Sequence, residues 1–253
     1  MRVPLRSGIF FMPNIKLTLE YDGTDFAGWQ LQANGRSVQG ELEKALRQIL
    51  QQDIRAHGAG RTDSGVHARA QVANFYVNEK VDRGLLQKSL NAVLPDDVVV
   101  YALEEVPDSF HARFSARSRS YEYIIEQRPT AIGRKYCWLN TYALETKLLK
   151  QCAAQAMGTH SFRSFCKTGN ETEDFDCRVS GAEWRTEESR FKFSITADRF
   201  LYGMVRALVG TMVEVARGYR ASEEFGKILA AEDRSKAGMS APAQGLFLTR
   251  VTY

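Results

Sequence analysis

The chain has 253 residues, enough for one large domain or two ordinary ones. Its 44% apolar and 25% charged residues exclude a disordered chain, and no segment approaches the eighteen apolar residues of a membrane-spanning helix. A net charge of +4, from 34 Lys and Arg against 30 Asp and Glu, is too small by itself to announce a polyanionic partner.

The first twelve residues, MRVPLRSGIFFM, carry basic charges and an apolar run too short for a signal-peptide core. They predict a cytoplasmic protein, with Met12 as an alternative to Met1 as the start. From Ile15 to Tyr21 apolar and polar side chains alternate, the period-two pattern of a half-buried strand. Ser37 then has the chemistry of a helix cap. Behind it Val38, Leu42, Ala45, Leu46, Ile49 and Leu50 fall on one helical face, with Glu41 and Glu43 near the positive end. A glycine-rich loop leads into a second strand from Val72 to Val77, and a short helix from Leu85 must stop before Pro95.

The second half repeats the rhythm. A strand is predicted around Tyr121–Ile125, a helix through Leu148, Leu149, Cys152, Ala153 and Ala156 ending at Gly158, a strand at Phe191–Ala197, and a long helix from Leu201 to Ala216. No Pro- or Ser-rich linker separates the halves. The expected fold is therefore α+β: two similar α/β subdomains, 13–112 and 113–253, share one continuous, largely antiparallel sheet with helices packed on it. A functional site belongs in the central basic cleft between them.

The charge is unevenly placed. Between Arg113 and Lys135 lie Arg113, Arg117, Arg119, Arg128, Arg134 and Lys135 against only Glu122 and Glu126, interleaved with Phe114, Tyr121, Tyr123 and Tyr136. That mixture suits phosphates and stacked bases, and equally the solvated face of an edge strand. Cys137, Cys152, Cys166 and Cys177 form no C-x-x-C pair, and His57, His67, His111 and His160 show no metal spacing, so no metal is expected and the histidines are assigned to loop hydrogen bonds.

The stretch GAGRTDSGVHARAQ, residues 58–71, sets Arg61 and Asp63 among glycines. A dinucleotide fingerprint would need glycine where Asp63 stands, and a phosphate loop would need a G-K-[ST] that is lacking. Asp63-Ser64-Gly65 matches the tripeptide of aspartic proteases, but those need two carboxylates, so a single copy would require a dimer. A structural turn capped by Asp63 is the plain alternative.

Taken together with YDGTDFAGWQ (21–30), SVQGELEKAL (37–46), FHARFSARSRSYEY (110–123), FLYGMVRALVG (200–210) and APAQGLFL (241–248), the stretch resembles the tRNA pseudouridine synthase A family, in the family's order and from about Ile15 onward. The resemblance implies the pseudouridine synthase fold and a cofactor-free homodimer. Its reaction would isomerise uridine to pseudouridine at positions 38, 39 and 40 of the tRNA anticodon stem-loop. It further implies Asp63 as nucleophile, Tyr121 as the ring against the uracil, and Arg61 as the side chain that helps extrude the target nucleotide. Arg206 is the candidate guanidinium for Asp63, because Arg199, Gly203, Arg206 and Gly210 would share one face of the long helix. Asp198-Arg199 departs from the family's pattern of Asn followed by a small residue. A noncatalytic RNA-binding protein of the same fold is the competing reading.

Overall fold

The computed structural model describes residues 12–167, 169 and 173–253; the amino-terminal run weighed above as a leader lies, up to residue 11, outside them. Strand β1 (Asn14–Tyr21) buries Ile15, Leu17, Leu19 and Tyr21, the alternating set. Helix α1 (Val38–Leu50) follows, and the Ser37 hydroxyl accepts from the Gly40 amide at 3.2 Å, satisfying one of the donors that a helix start leaves open. A two-residue strand β2 (His57–Gly58) precedes the glycine-rich loop, and β3 (His67–Tyr76) follows it. The second strand thus starts at His67, ahead of the expected Val72. The extension comes from a partner remote in sequence, since His67 and Ala68 pair with Phe247 and Leu248. Helix α2 (Arg83–Val93) begins ahead of Leu85 because the Asp82 carboxylate accepts from the Leu85 amide at 3.0 Å.

Strand β4 (Val98–Val106) pairs with β1 and leads to β5 (Ser118–Glu126), which contains the expected Tyr121–Ile125. Then come β6 (Trp138–Leu139), α3 (Thr146–Gln155), β7 (Gly158–Ser161), β8 (Asp176–Glu187), β9 (Arg190–Ala197), α4 (Met204–Ala216), α5 (Glu224–Ala231) and β10 (Leu246–Thr252). The ten strands make one sheet in the order β4-β1-β3-β10-β5-β9-β8-β7, with β2 beside β3 and β6 beside β5. Only the β3–β10 and β5–β6 pairs are parallel. Strand β10 is the seam: it alone joins β1, β3 and β4 to β5, β7, β8 and β9. One apolar cluster runs from Ile15 to Leu248 across that seam. Among the described residues no helix is long and apolar enough to cross a membrane.

Helix α4 is the most enclosed element; of its residues only Arg206 and Glu214 are not fully buried. It starts at Met204, not at Leu201, because Gly203 takes a left-handed φ of +71° at the cap. Arg199 and Gly203 therefore lie outside the helix and do not share a face with Arg206. Gly210 does sit where another segment comes close: a Cβ there would stand 1.7 Å from the Met239 carbonyl oxygen. Residues 239–241 run along this side of α4, and the Ala241 amide donates to the Arg206 carbonyl at 2.9 Å.

Gly210→Ala should accordingly destabilise the protein by at least about 1–3 kcal/mol, the usual cost of overpacking where backbone cannot retreat. A fall in the urea midpoint at unchanged slope measures it; an unmoved midpoint would show that the 239–241 segment yields freely.

Candidate active site

Between β2 and β3 the loop of residues 59–66 is tied down almost entirely by its backbone. The Thr62 carbonyl accepts from the Trp29 amide at 3.1 Å, the Phe26 carbonyl accepts from the Gly65 amide at 3.3 Å and the Ser64 hydroxyl at 3.2 Å, and Gln71 donates to the Gly60 carbonyl at 2.9 Å. The Thr62 and Tyr21 hydroxyls meet at 2.8 Å in the interior. Gly28, at φ +114°, lies so close that a Cβ would stand 2.5 Å from the Thr62 oxygen. The segment YDGTDFAGWQ is thus the bed on which the loop rests, and Gly28 sits where only glycine fits.

This anchoring holds Asp63 at the edge of the core. Its Oδ2 accepts from Arg206 Nη1 at 3.0 Å, and the two side chains are only 16% and 23% exposed. Arg206 is itself fixed, since its Nε donates to the Ala241 carbonyl at 2.7 Å. An arginine on so buried a helix must have such partners. Among the described residues only one carboxylate oxygen of Asp63 is engaged, which leaves Oδ1 open to a ligand.

Tyr121 closes one wall. Its ring meets Phe200 edge-on at 5.0 Å, and its hydroxyl lies 3.9 Å from the point a Cβ on Gly60 would occupy. Burial, and then the negative charge of Asp63, push its ionisation well above the ordinary phenol range, so the hydroxyl keeps its proton and is a hydrogen-bond donor. The structure therefore brings Asp63, Arg206 and Tyr121 together. Arg61 stands apart on the rim, exposed and, among the described residues, in no hydrogen bond or ion pair.

The basic run 113–135 does not form one strip. Arg119 turns inward: its guanidinium donates to the Ala59 carbonyl at 2.9 Å, to Asp198 at 2.8 Å, to Arg113 at 2.5 Å and to Ala116 at 3.3 Å. It cross-braces the loop, β5 and the turn before α4, a role that no local pattern distinguishes from that of its neighbours. Arg113 and Arg117 remain exposed at one end of β5, Arg128, Arg134 and Lys135 beyond the other. Phe200, the partner of Tyr121, was likewise not singled out, although it opens the motif that contains Arg206. Arg199 is paired with Asp174.

Two of the histidines make the loop hydrogen bonds expected of them, His111 Nδ1 accepting from the Arg113 amide at 3.1 Å and His160 Nε2 lying 2.7 Å from the Met157 carbonyl, whereas His57 packs its ring against that of His111. His67 Nδ1 accepts from the Gly23 amide at 3.0 Å, which places the ring proton on Nε2, a buried atom with no hydrogen-bond partner among the described residues. With Nδ1 so used, the Asp22 oxygen 3.1 Å away is not in a salt bridge with a neutral ring. His67 also lines a cavity of about 450 Å³ with Asp22, Tyr136 and Phe247; Asp63 does not reach it. Among the described residues no group of three or more His, Cys, Asp or Glu is arranged to hold a metal.

A family model described as tRNA pseudouridine synthase matches residues 18–115 and 152–253. The chain is 42% identical over 246 residues to tRNA pseudouridine synthase A of Thermoanaerobacter sp. (strain X514), covering 96% of this chain and 100% of that one. Against the protein of the same name from Anoxybacillus flavithermus it is 42% identical over 244 residues, with 96% and 99% covered. For that of Chlorobium phaeobacteroides the identity is 38% over 250 residues, with 98% and 97% covered. A chain in the crystal structure of the archaeal box H/ACA sRNP Nop10-Cbf5 complex aligns at TM-score 0.38 and 13% identity, over 99% of this chain and 51% of its own, too distant to carry an argument.

Burial lowers the affinity of His67 for a proton below its ordinary value, the nearby Asp22 charge opposing but not overcoming it. Its neutral form is favoured by folding, so its contribution is complete above the unfolded value of about 6.5 and is lost as pH falls from there through the lower folded value. Thermal melts from pH 7.5 down to 5.5 should show the protein losing more stability than a His67→Gln variant; parallel curves would contradict this.

Proposed function

The chain belongs to the tRNA pseudouridine synthase family, and on that footing we propose that it isomerises uridine to pseudouridine in tRNA with Asp63 as the nucleophile. The observation that carries the assignment is the open Oδ1 of Asp63 beside Arg206 and Tyr121. In the reaction the bond between N1 of the uracil and C1′ of the ribose breaks, the base turns, and a bond from C5 to C1′ replaces it. The C5 proton leaves and N1 gains one, so the change is redox-neutral and calls for no cofactor. A covalent bond from the carboxylate to the substrate can hold the loose fragment meanwhile.

Each neighbour has a part. Arg206 keeps Asp63 aimed, as a guanidinium fixed at a second point can. The ring of Tyr121 packs against the uracil, and its hydroxyl assists removal of the C5 proton, passing its own proton to N1, the uracil atom that gains one. Arg61, exposed and uncommitted, fills the place of the extruded nucleotide, whose unstacking costs a few kcal/mol. We take residues 13–112 as the subdomain that bears the Asp63 loop and 113–253 as the one that supplies Tyr121 and Arg206. The substrate is the anticodon stem-loop at positions 38, 39 and 40, and the enzyme is a cytoplasmic homodimer.

Asp63→Asn preserves shape and removes the attacking charge, so tritium release from C5-labelled anticodon stem-loop should fall at least about a thousandfold. RNA binding and the melting curve should hold. Arg206→Lys should lower turnover less, since an ammonium cannot reproduce two directed contacts at once. Near-normal turnover by folded Asp63→Asn protein would remove Asp63 from the chemistry.

A further inference from the structure

The rings of His57 and His111 lie 5.1 Å apart and tilted by 43°, and the ring of Phe114 lies 4.4 Å from that of His111, tilted by 38°. Phe114 is the outer member and is 75% exposed. One exposed phenylalanine is ordinary; one that is the outermost of three contacting rings is different, because its exposed surface extends an aromatic cluster already in place. The turn that presents it is fixed. His111 Nδ1 accepts from the Arg113 amide at 3.1 Å and the Phe114 amide at 3.4 Å, while His111 and Ser115 bond each other through N–H to Oγ at 3.0 Å and N–H to carbonyl at 2.9 Å. A ring held in this way loses little freedom when something stacks on it.

The surroundings indicate what that is. The Arg113 guanidinium lies 5.5 Å from the centre of the Phe114 ring, and Arg117 is exposed close by in the chain. The turn is also wired to the catalytic loop: Arg119 bonds the Arg113 carbonyl and the Ala59 carbonyl with the same nitrogen. Gly60 follows Ala59 and borders the Tyr121 hydroxyl. An aromatic ring flanked by exposed arginines, rigidly joined to the nucleophile's loop, has the chemistry of an unpaired-base site, since every base offers a π face and brings a phosphate.

We infer that the His57–His111–Phe114 ring cluster, through its exposed member Phe114, is a stacking platform for an unpaired nucleobase of the RNA substrate, beside the nucleotide that enters the Asp63 site. The platform positions RNA and takes no part in bond making. The inference rests on the tRNA reading above and adds a residue that fixes where the strand runs after the target is extruded.

The test uses the full chain, its Phe114→Ala and Phe114→Tyr variants, and a stem-loop RNA carrying 2-aminopurine at each unpaired position in turn. One position should be quenched on binding the parent protein and not on binding Phe114→Ala. For unlabelled RNA, Phe114→Ala should raise Kd and KM roughly tenfold, within the range for loss of one base–aromatic stack, with the change carried by KM and not kcat. Phe114→Tyr should restore both, and an abasic residue at the quenched position should erase the difference between parent and Phe114→Ala. Equal affinities of parent and Phe114→Ala, or a penalty that survives an abasic residue at every unpaired position, would overturn the platform; the latter would mark Phe114 as packing or as a protein contact. Failure of the parent protein to release tritium would strike the reaction alone, because the affinity cycle needs no turnover.

Discussion

Everything in the site depends on one ion pair between side chains 143 residues apart, Asp63 and Arg206. A carboxylate and a guanidinium this far withdrawn from water hold together only if both backbones are already in place, since neither can be left alone at the edge of a core without a cost of about 3–5 kcal/mol. The loop side of the pair is placed by main-chain hydrogen bonds to residues 26–29 and by the Tyr21–Thr62 contact. The helix side is placed by the absence of a side chain at Gly210, which lets residues 239–241 lie against α4 and occupy the rest of Arg206. Small residues and backbone geometry thus do the aiming, and the charges only complete it.

The same logic divides the arginines into two populations that a net charge of +4 conceals. Arg206 and Arg119 point inward and are consumed by carbonyls or a carboxylate. Arg36 belongs with them: it makes a two-nitrogen contact to Asp97 at 2.6 and 2.9 Å, lies 4.2 Å over the Phe26 ring, and so fastens the residues that underlie the Asp63 loop. Arg61, Arg113 and Arg117 are exposed, Arg61 on the very loop the inner set has rigidified. An enzyme acting on RNA needs both kinds, because phosphate contacts gain affinity only if the reactive groups do not move when they form.

Local physics made part of this readable from the residues alone. Strand β1 and helix α1 have clean periods of two and 3.6 and a side-chain cap, so nothing remote was needed to find them. Strands β4 and β8 escaped notice because they expose much of their length and alternate weakly, and α5 is only Glu224–Ala231. For β10 the obstacle was different. Its first residues, Leu246, Phe247 and Leu248, are all buried, and an unbroken apolar run carries no period to read. The glycines of the Asp63 loop marked it as special, yet their reasons lay in other segments; Gly28 and Gly210 are explained by Thr62 and Met239, whose approach no local pattern reports.

The seam strand also determines when the site can exist. β10 lies between β3 and β5, pairing Phe247 with His67 on one side and with Glu122 on the other. Residues 239–241, which fix Arg206, lead directly into it, and the Tyr123 hydroxyl holds the approach by donating to the Pro242 carbonyl at 2.7 Å. Until this strand docks, the loop with Asp63 and the helix with Arg206 belong to pieces of sheet with no common edge. Contacts of such sequence separation carry a large loop-closure cost and form late unless a nucleus precedes them. In a chain that has not closed this seam, Asp63 and Arg206 therefore lie on segments that the sheet does not yet hold at hydrogen-bonding distance.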